Sequence, residues 1–80
     1  AWTGFQSVKT EDTGYLLLIR ETSSEETYRC QLRGLADCRL ELEGILGAAG
    51  QRSVQVDGEG QAAFTLPGAF CYALYRYQVA

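Results

Sequence analysis

The sequence predicts an all-β chain, folded as an antiparallel two-sheet β-sandwich of about seven to eight strands. Three observations carry this. Apolar or alternating stretches of roughly five to nine residues recur along the chain. Turn-forming glycine and aspartate clusters separate them at regular spacing. The last stretch, residues 70–77, alternates with period two and is apolar or aromatic on both faces.

Taken in order, residues 2–8 open the chain as a strand. Gly14 introduces Tyr15-Leu-Leu-Leu-Ile19, too short for a stable helix and continuous enough for a central strand. Residues 22–26 form a polar turn. The stretch 27–33 then alternates, with Tyr28, Cys30 and Leu32 inward and Arg29, Gln31 and Arg33 outward. After a connection at 34–37, the stretch 38–44 sets Leu40 and Leu42 inward and Arg39, Glu41 and Glu43 outward. Matching inward to inward pairs these two strands, Leu32 with Leu40, Cys30 with Leu42 and Arg29 with Glu43. That register keeps Cys30 roughly 13 Å from Cys38 along the strand, beyond the α-carbon separation of about 7 Å that a disulfide tolerates.

The stretch 35–49 is rich in helix-forming leucine and alanine, so a helix there is the competing reading. The Cys38/Leu40/Leu42 alternation and the glycines that follow favour a strand. Residues 47–50 break the chain, and 52–57 form a strand with Val54 and Val56 inward. Asp57-Gly-Glu-Gly60 reads as a hairpin turn, because glycine accepts positive φ at no steric cost. Residues 61–66 return with Phe64 and Leu66 inward. Pro67-Gly68 suits the centre of a type II turn, and 70–79 closes the fold.

Eighty residues make one domain, and a chain of this size buries only about 60% of its unfolded surface. Residues 1–80 therefore read as a single β-sandwich accessory domain belonging to a larger chain. The opening Ala1-Trp2 and the lack of methionine read as a processed or excised piece. The net charge is −3, and the seven basic residues stand singly among acidic ones. Nucleic acid and anionic membrane both call for a basic stripe, so neither is expected as a partner. Three cysteines without metal-type spacing, in a chain with no histidine, argue against a zinc site or a disulfide framework, and no cofactor is expected. Cys30 and Cys71 read as small core residues.

No catalytic constellation emerges. Glu41 and Glu43 would lie about 7 Å apart on one strand face, a carboxylate spacing used in glycoside hydrolysis. They share that face with arginines, however, and nothing apolar is placed to raise one pKa. Asp57-x-Glu59 lacks the further oxygen ligands of a calcium loop. Cys71 has no histidine to activate it, and Gly47-x-x-Gly50 lacks the lysine of a phosphate loop.

The aromatic residues are the better candidates. Trp2, Phe5, Tyr15, Tyr28, Tyr72, Tyr75 and Tyr77 could furnish an interface or a platform for sugar rings. The two-sided final strand sharpens this. One face carries Phe70, Tyr72 and Leu74; the other carries Cys71, Ala73, Tyr75 and Tyr77. So small a domain has little material to cover both faces, which predicts a neighbouring domain lying against an apolar patch lined by Trp2, Tyr75 and Tyr77, with Tyr72 a further candidate.

The order of phrases carries a resemblance. Trp2-Thr-Gly-Phe-Gln6 comes first, then Gly14-Tyr-Leu-Leu-Leu-Ile-Arg-Glu21 and Leu32-Arg-Gly-Leu35. Val56-Asp-Gly-Glu-Gly-Gln61, Phe64-Thr-Leu-Pro67 and Phe70-x-Tyr-Ala-Leu-Tyr75 follow. The chain resembles the C-terminal β-domain of bacterial glycoside hydrolases of the α-galactosidase (melibiase-like) kind, where a small antiparallel sandwich follows a catalytic (β/α)₈ barrel. The resemblance implies a non-catalytic domain that packs on the barrel and stabilises it. It transfers no catalytic residue, because none of the matching phrases holds one. A carbohydrate-binding module with an aromatic platform and a free-standing immunoglobulin-like interaction domain are the alternatives.

Overall fold

The computed structural model describes residues 2–22 and 24–80, so Ala1 and, within the polar turn at 22–26, Ser23 lie outside the described residues. The strands are β1 Trp2–Val8, β2 Thr13–Arg20, β3 Thr27–Gln31, β4 Arg39–Gly47, β5 Ser53–Gln55, β6 Gln61–Thr65 and β7 Cys71–Val79. No helix occurs among the described residues, and most of the stretch that could have been one is β4. A five-stranded antiparallel sheet, ordered β1-β2-β7-β4-β5, packs against the β3-β6 pair as a small β-sandwich.

Pairing departs from expectation in two places. The predicted hairpin between 27–33 and 38–44 does not form: β3 pairs with β6, setting Cys30 opposite Ala62, while β4 pairs with β7 and β5. The link at 34–37 instead crosses from one sheet to the other. Gly34 and Asp37 take φ of 71° and 60°, and the fully covered Leu35 plugs the end of the core. Arg29 therefore meets Asp57 at 2.7 Å, and Glu43 meets Arg76 at 2.6 Å. Alternation decides which face of a strand is buried but not which strand lies beside it, since any neighbour with inward leucines at the right register satisfies the pattern.

The Asp57–Gly60 turn forms with Gly60 at φ 81° and the Gly60 amide donating to the Asp57 carbonyl at 3.0 Å. It too joins the sheets rather than closing a ladder, because β5 and β6 belong to different ones. The type II turn at Pro67-Gly68 is also corrected. Gly68 does not take the positive φ such a turn needs; Phe70 does, at 59°.

The core lies between the sheets. Leu16 and Leu18 of β2, Leu40 and Leu42 of β4, and Ala73, Tyr75 and Tyr77 of β7 face Cys30, Ala62, Phe64 and Leu66. The Tyr75 and Phe64 rings pack at 6.3 Å between centroids. Trp2 stacks on Tyr28 at 5.5 Å, nearly parallel at 9°, closing one corner. Buried Arg20 spans the layers, donating from Nη1 to the Leu66 carbonyl at 2.8 Å.

Two glutamines suture the open edges of the sandwich. On the β1 side, Gln6 Oε1 accepts from the Arg33 amide at 2.7 Å, and its Nε2 donates to the Arg33 carbonyl at 3.1 Å and to the Tyr77 hydroxyl at 3.3 Å. On the β5 side, Gln51 Oε1 accepts from the Thr65 amide at 2.9 Å, its Nε2 donates to the Ala63 carbonyl at 3.3 Å, and its backbone amide donates to the Tyr75 hydroxyl at 3.0 Å. Each side-chain amide replaces a missing strand partner for backbone groups that would otherwise lack one. The hydroxyls of the two core tyrosines end at these two seams.

Tyr77 also dictates Gly14. A Cβ there would stand 2.3 Å from the Ser7 carbonyl oxygen and 2.6 Å from the Tyr77 hydroxyl oxygen, separations that no rotamer relieves at the backbone end. Gly14→Ala is expected to cost about 1–3 kcal/mol by overpacking, read as a lower urea midpoint with unchanged slope. An unchanged midpoint would contradict this packing.

Asp57 fixes the sheet-crossing turn. Its Oδ1 accepts from the Glu59 and Gln61 amides, both at 2.9 Å, and Arg29 holds Oδ2. The Gln61 amide foremost, joined by the Glu59 amide and the Arg29 charge and hydrogen bond, outweighs the opposing desolvation and holds the carboxyl below its ordinary value of 3.8. A carboxyl lowered on folding contributes stability that is full above its unfolded pKa and is lost as pH falls through the folded one. The wild-type melting temperature is therefore expected to fall below about pH 4 more steeply than that of Asp57→Asn. Parallel acid limbs for the two proteins would contradict the assignment.

Candidate functional site

The five-stranded sheet has an inner face, covered by β3 and β6, and an outer face that no part of the described chain covers. Register places its side chains in rows across the strands. One row runs Phe5, Leu17, Leu74, Leu46 from β1 to β4, and the next holds Thr3, Ile19 and Tyr72. Phe5 is 57% exposed, Leu46 56% and Tyr72 46%, while Leu17, Ile19 and Leu74 are half-buried. This is the apolar half of the outer face.

Two local devices enlarge it. The register of β4 against β7 shifts between Gly44 and Leu46, a bulge that leaves Ile45 unpaired and exposed and brings Leu46 opposite Leu74. At the start of β7, Phe70 lies in the left-handed region with its side chain 76% exposed. That backbone conformation is costly for an aromatic residue.

Toward the other end of β2, β7 and β4 the same face turns polar. The rows Thr13, Gln78, Glu41 and Tyr15, Arg76, Glu43 border a shallow groove of about 380 Å³, which Lys9 enters from the β1–β2 link. The two candidate carboxylates of β4 lie here, exposed, with Glu43 paired to Arg76. Of their expected companions, Arg29 lies on β3 in the other sheet, and Arg33 lies past the end of β3, bonded to Gln6 at the β1 edge.

The residues predicted to line an exposed patch divide. Tyr75 and Tyr77 are each 1% exposed and form the centre of the core. Their expected exposure is corrected, because the β3-β6 sheet packs over the middle of that side of β7, at Ala73, Tyr75 and Tyr77. Trp2 is held in the corner by its Tyr28 stack and by a hydrogen bond from Nε1 to the Glu25 carbonyl at 2.8 Å. Tyr72 alone of the four sits on the uncovered face. Leu17, Ile19, Leu46 and Leu74 were missed as surface residues, although one signal was available. Like β7, β2 is apolar at consecutive positions from Tyr15 to Ile19, and a strand with both faces apolar presents one of them outward wherever only one layer covers it.

Cys30 is buried, and burial pushes its thiol pKa up; Cys38 and Cys71 are half-buried, and all three are free thiols. Among the described residues, no three of His, Cys, Asp or Glu gather as a metal would require. No family model, curated protein or solved structure matches the chain.

Proposed function

We propose that this chain is a non-catalytic accessory β-domain that docks, by the apolar half of its outer sheet face, on a catalytic (β/α)₈ barrel elsewhere in the same protein. The kind of barrel, a glycoside hydrolase of the α-galactosidase type, comes from the resemblance in the sequence. The observation that carries the docking is the apolar row Phe5, Leu17, Leu74, Leu46 across four strands, uncovered by the described chain.

Area favours a neighbour in the same chain over a separate protein. Taking about 150–250 Å² for a whole aromatic side chain, the exposed apolar surface of this half is on the order of 500 Å². That falls short of the roughly 800 Å² per partner typical of stable complexes. It fits a contact between domains of one chain, about 600–1,500 Å² counted over both sides. Tethering makes the smaller area sufficient, because a linked partner is present at high effective concentration.

The proposal is tested on the complete reading frame and on the purified chain. A barrel-length run of alternating strands and helices is expected next to these residues in the full protein. The purified chain is expected to release no nitrophenol from 4-nitrophenyl glycosides. A neighbouring region without βα repeats, or turnover that follows the 80-residue chain through purification, would overturn it.

A further inference from the structure

The polar half of the outer face supports a second inference, independent of the docking reading. The floor of the groove is the row Gly14, Tyr77, Leu42, whose side-chain positions lie on the core side of the sheet, leaving backbone on the outer side. Its walls are the flanking rows, one holding Gln78 and Glu41 and the other Tyr15 and Arg76.

Its charges cancel. Lys9 and Arg76 stand against Glu41 and Glu43, and Arg76 is already paired with Glu43 at 2.6 Å. A groove with no net charge gives little long-range attraction to an anion or a cation. It offers unused hydrogen-bonding capacity of every kind beside an aromatic ring. Lys9 supplies donors, Glu41 acceptors and Gln78 both, and none of these side chains makes a hydrogen bond or ion pair among the described residues. The other glutamines supply an internal comparison. Gln6, Gln31, Gln51, Gln55 and Gln61 each bind protein groups through their amides. Among the described residues, Gln78 is the glutamine whose amide is left over, and it faces the groove.

From this juxtaposition we propose that the groove binds a neutral, hydroxyl-rich ligand, a saccharide unit, seated against Tyr15 with its hydroxyls on Gln78, Glu41 and Lys9. A sugar ring presents an apolar C–H face and hydroxyls that both donate and accept. It therefore calls for an aromatic surface ringed by mixed polar groups with little net charge. The volume lies at the lower end of ligand sites, about 300–1,000 Å³, and the groove is open to water. Binding is therefore weak, with Kd near 1 mM in order of magnitude.

The test is a titration of the ¹⁵N-labelled chain with methyl α- and β-glucosides, methyl α- and β-galactosides, maltotetraose and cellotetraose. Sodium sulfate, glucuronate and glucosamine serve as charged controls. Saturable shifts are expected for at least one neutral sugar, confined to residues 13–15, 41–43 and 76–78. Gln78→Ala and Tyr15→Ala are each expected to weaken binding about tenfold, and Tyr72→Ala, on the apolar half, to leave it unchanged. Gln78 is exposed, so its variant keeps the test valid if Tyr15→Ala fails to fold. The proposal is overturned by silence from every neutral sugar, by shifts centred elsewhere, by equal responses to the charged controls, or by wild-type affinity in Gln78→Ala. None of these results bears on the docking of the apolar half.

Discussion

Tyr75→Ala is expected to remove about a quarter or more of the chain's stability and to lower its urea midpoint accordingly. The ring is almost wholly enclosed, packs against Phe64 and ends at the β5–β6 seam, where its hydroxyl accepts from the Gln51 amide. Truncating a buried aromatic to alanine costs about 3–5 kcal/mol. The whole stability of a domain this size is on the order of 4–12 kcal/mol. Tyr75→Phe separates ring from hydroxyl: it keeps the packing and loses one hydrogen bond, about 0.5–1.5 kcal/mol. Urea unfolding followed by Trp2 fluorescence checks both, since Trp2 stacks on Tyr28 only in the folded chain. A Tyr75→Ala protein with a wild-type midpoint would show that the final strand does not organise the core.

Leu74→Asp, one residue earlier on the same strand, is expected to behave in the opposite way. Leu74 lies on the outer face between Leu17 and Leu46, half-buried. In the isolated chain the new carboxylate reaches water, and the cost is about 1 kcal/mol, ordinary for a substitution at a partly covered site. In the complete protein the same charge would be pressed, unpaired, into an apolar contact, at about 3–5 kcal/mol. The complete protein should therefore lose much more melting temperature than the isolated chain does. Arg29→Ala, on the outside of the two-stranded sheet, should affect both equally. Equal losses for Leu74→Asp in the two settings would assign Leu74 to the fold of this domain and remove it from any interface.

Much of this architecture is legible in the residues. Alternation in 27–33 and 38–44 identifies Cys30, Leu32, Leu40 and Leu42 as inward, and all four are buried. The Asp-Gly-Glu-Gly phrase identifies a tight turn. Strand partners are not legible, because the 34–37 and 57–60 links cross between sheets, and nothing in their composition distinguishes a crossing from a hairpin. The faces of β7 show the same limit. Both read as apolar, and nothing in their composition decides which one the β3-β6 layer takes. The small sheet covers Ala73, Tyr75 and Tyr77 and leaves Tyr72 and Leu74 on the outside. The glutamine seams were invisible for a related reason: Gln6 and Gln51 each lie far in sequence from the backbone groups they satisfy.

Hydroxyl-radical footprinting of the isolated chain and of the complete protein, read at Phe5, Leu46, Phe70 and Tyr72, tests the docking face most directly. Strong labelling of these four side chains is expected in the isolated chain and clear protection in the complete protein, with Tyr75 and Tyr77 protected in both. Equal labelling of the four in both proteins would contradict the docking.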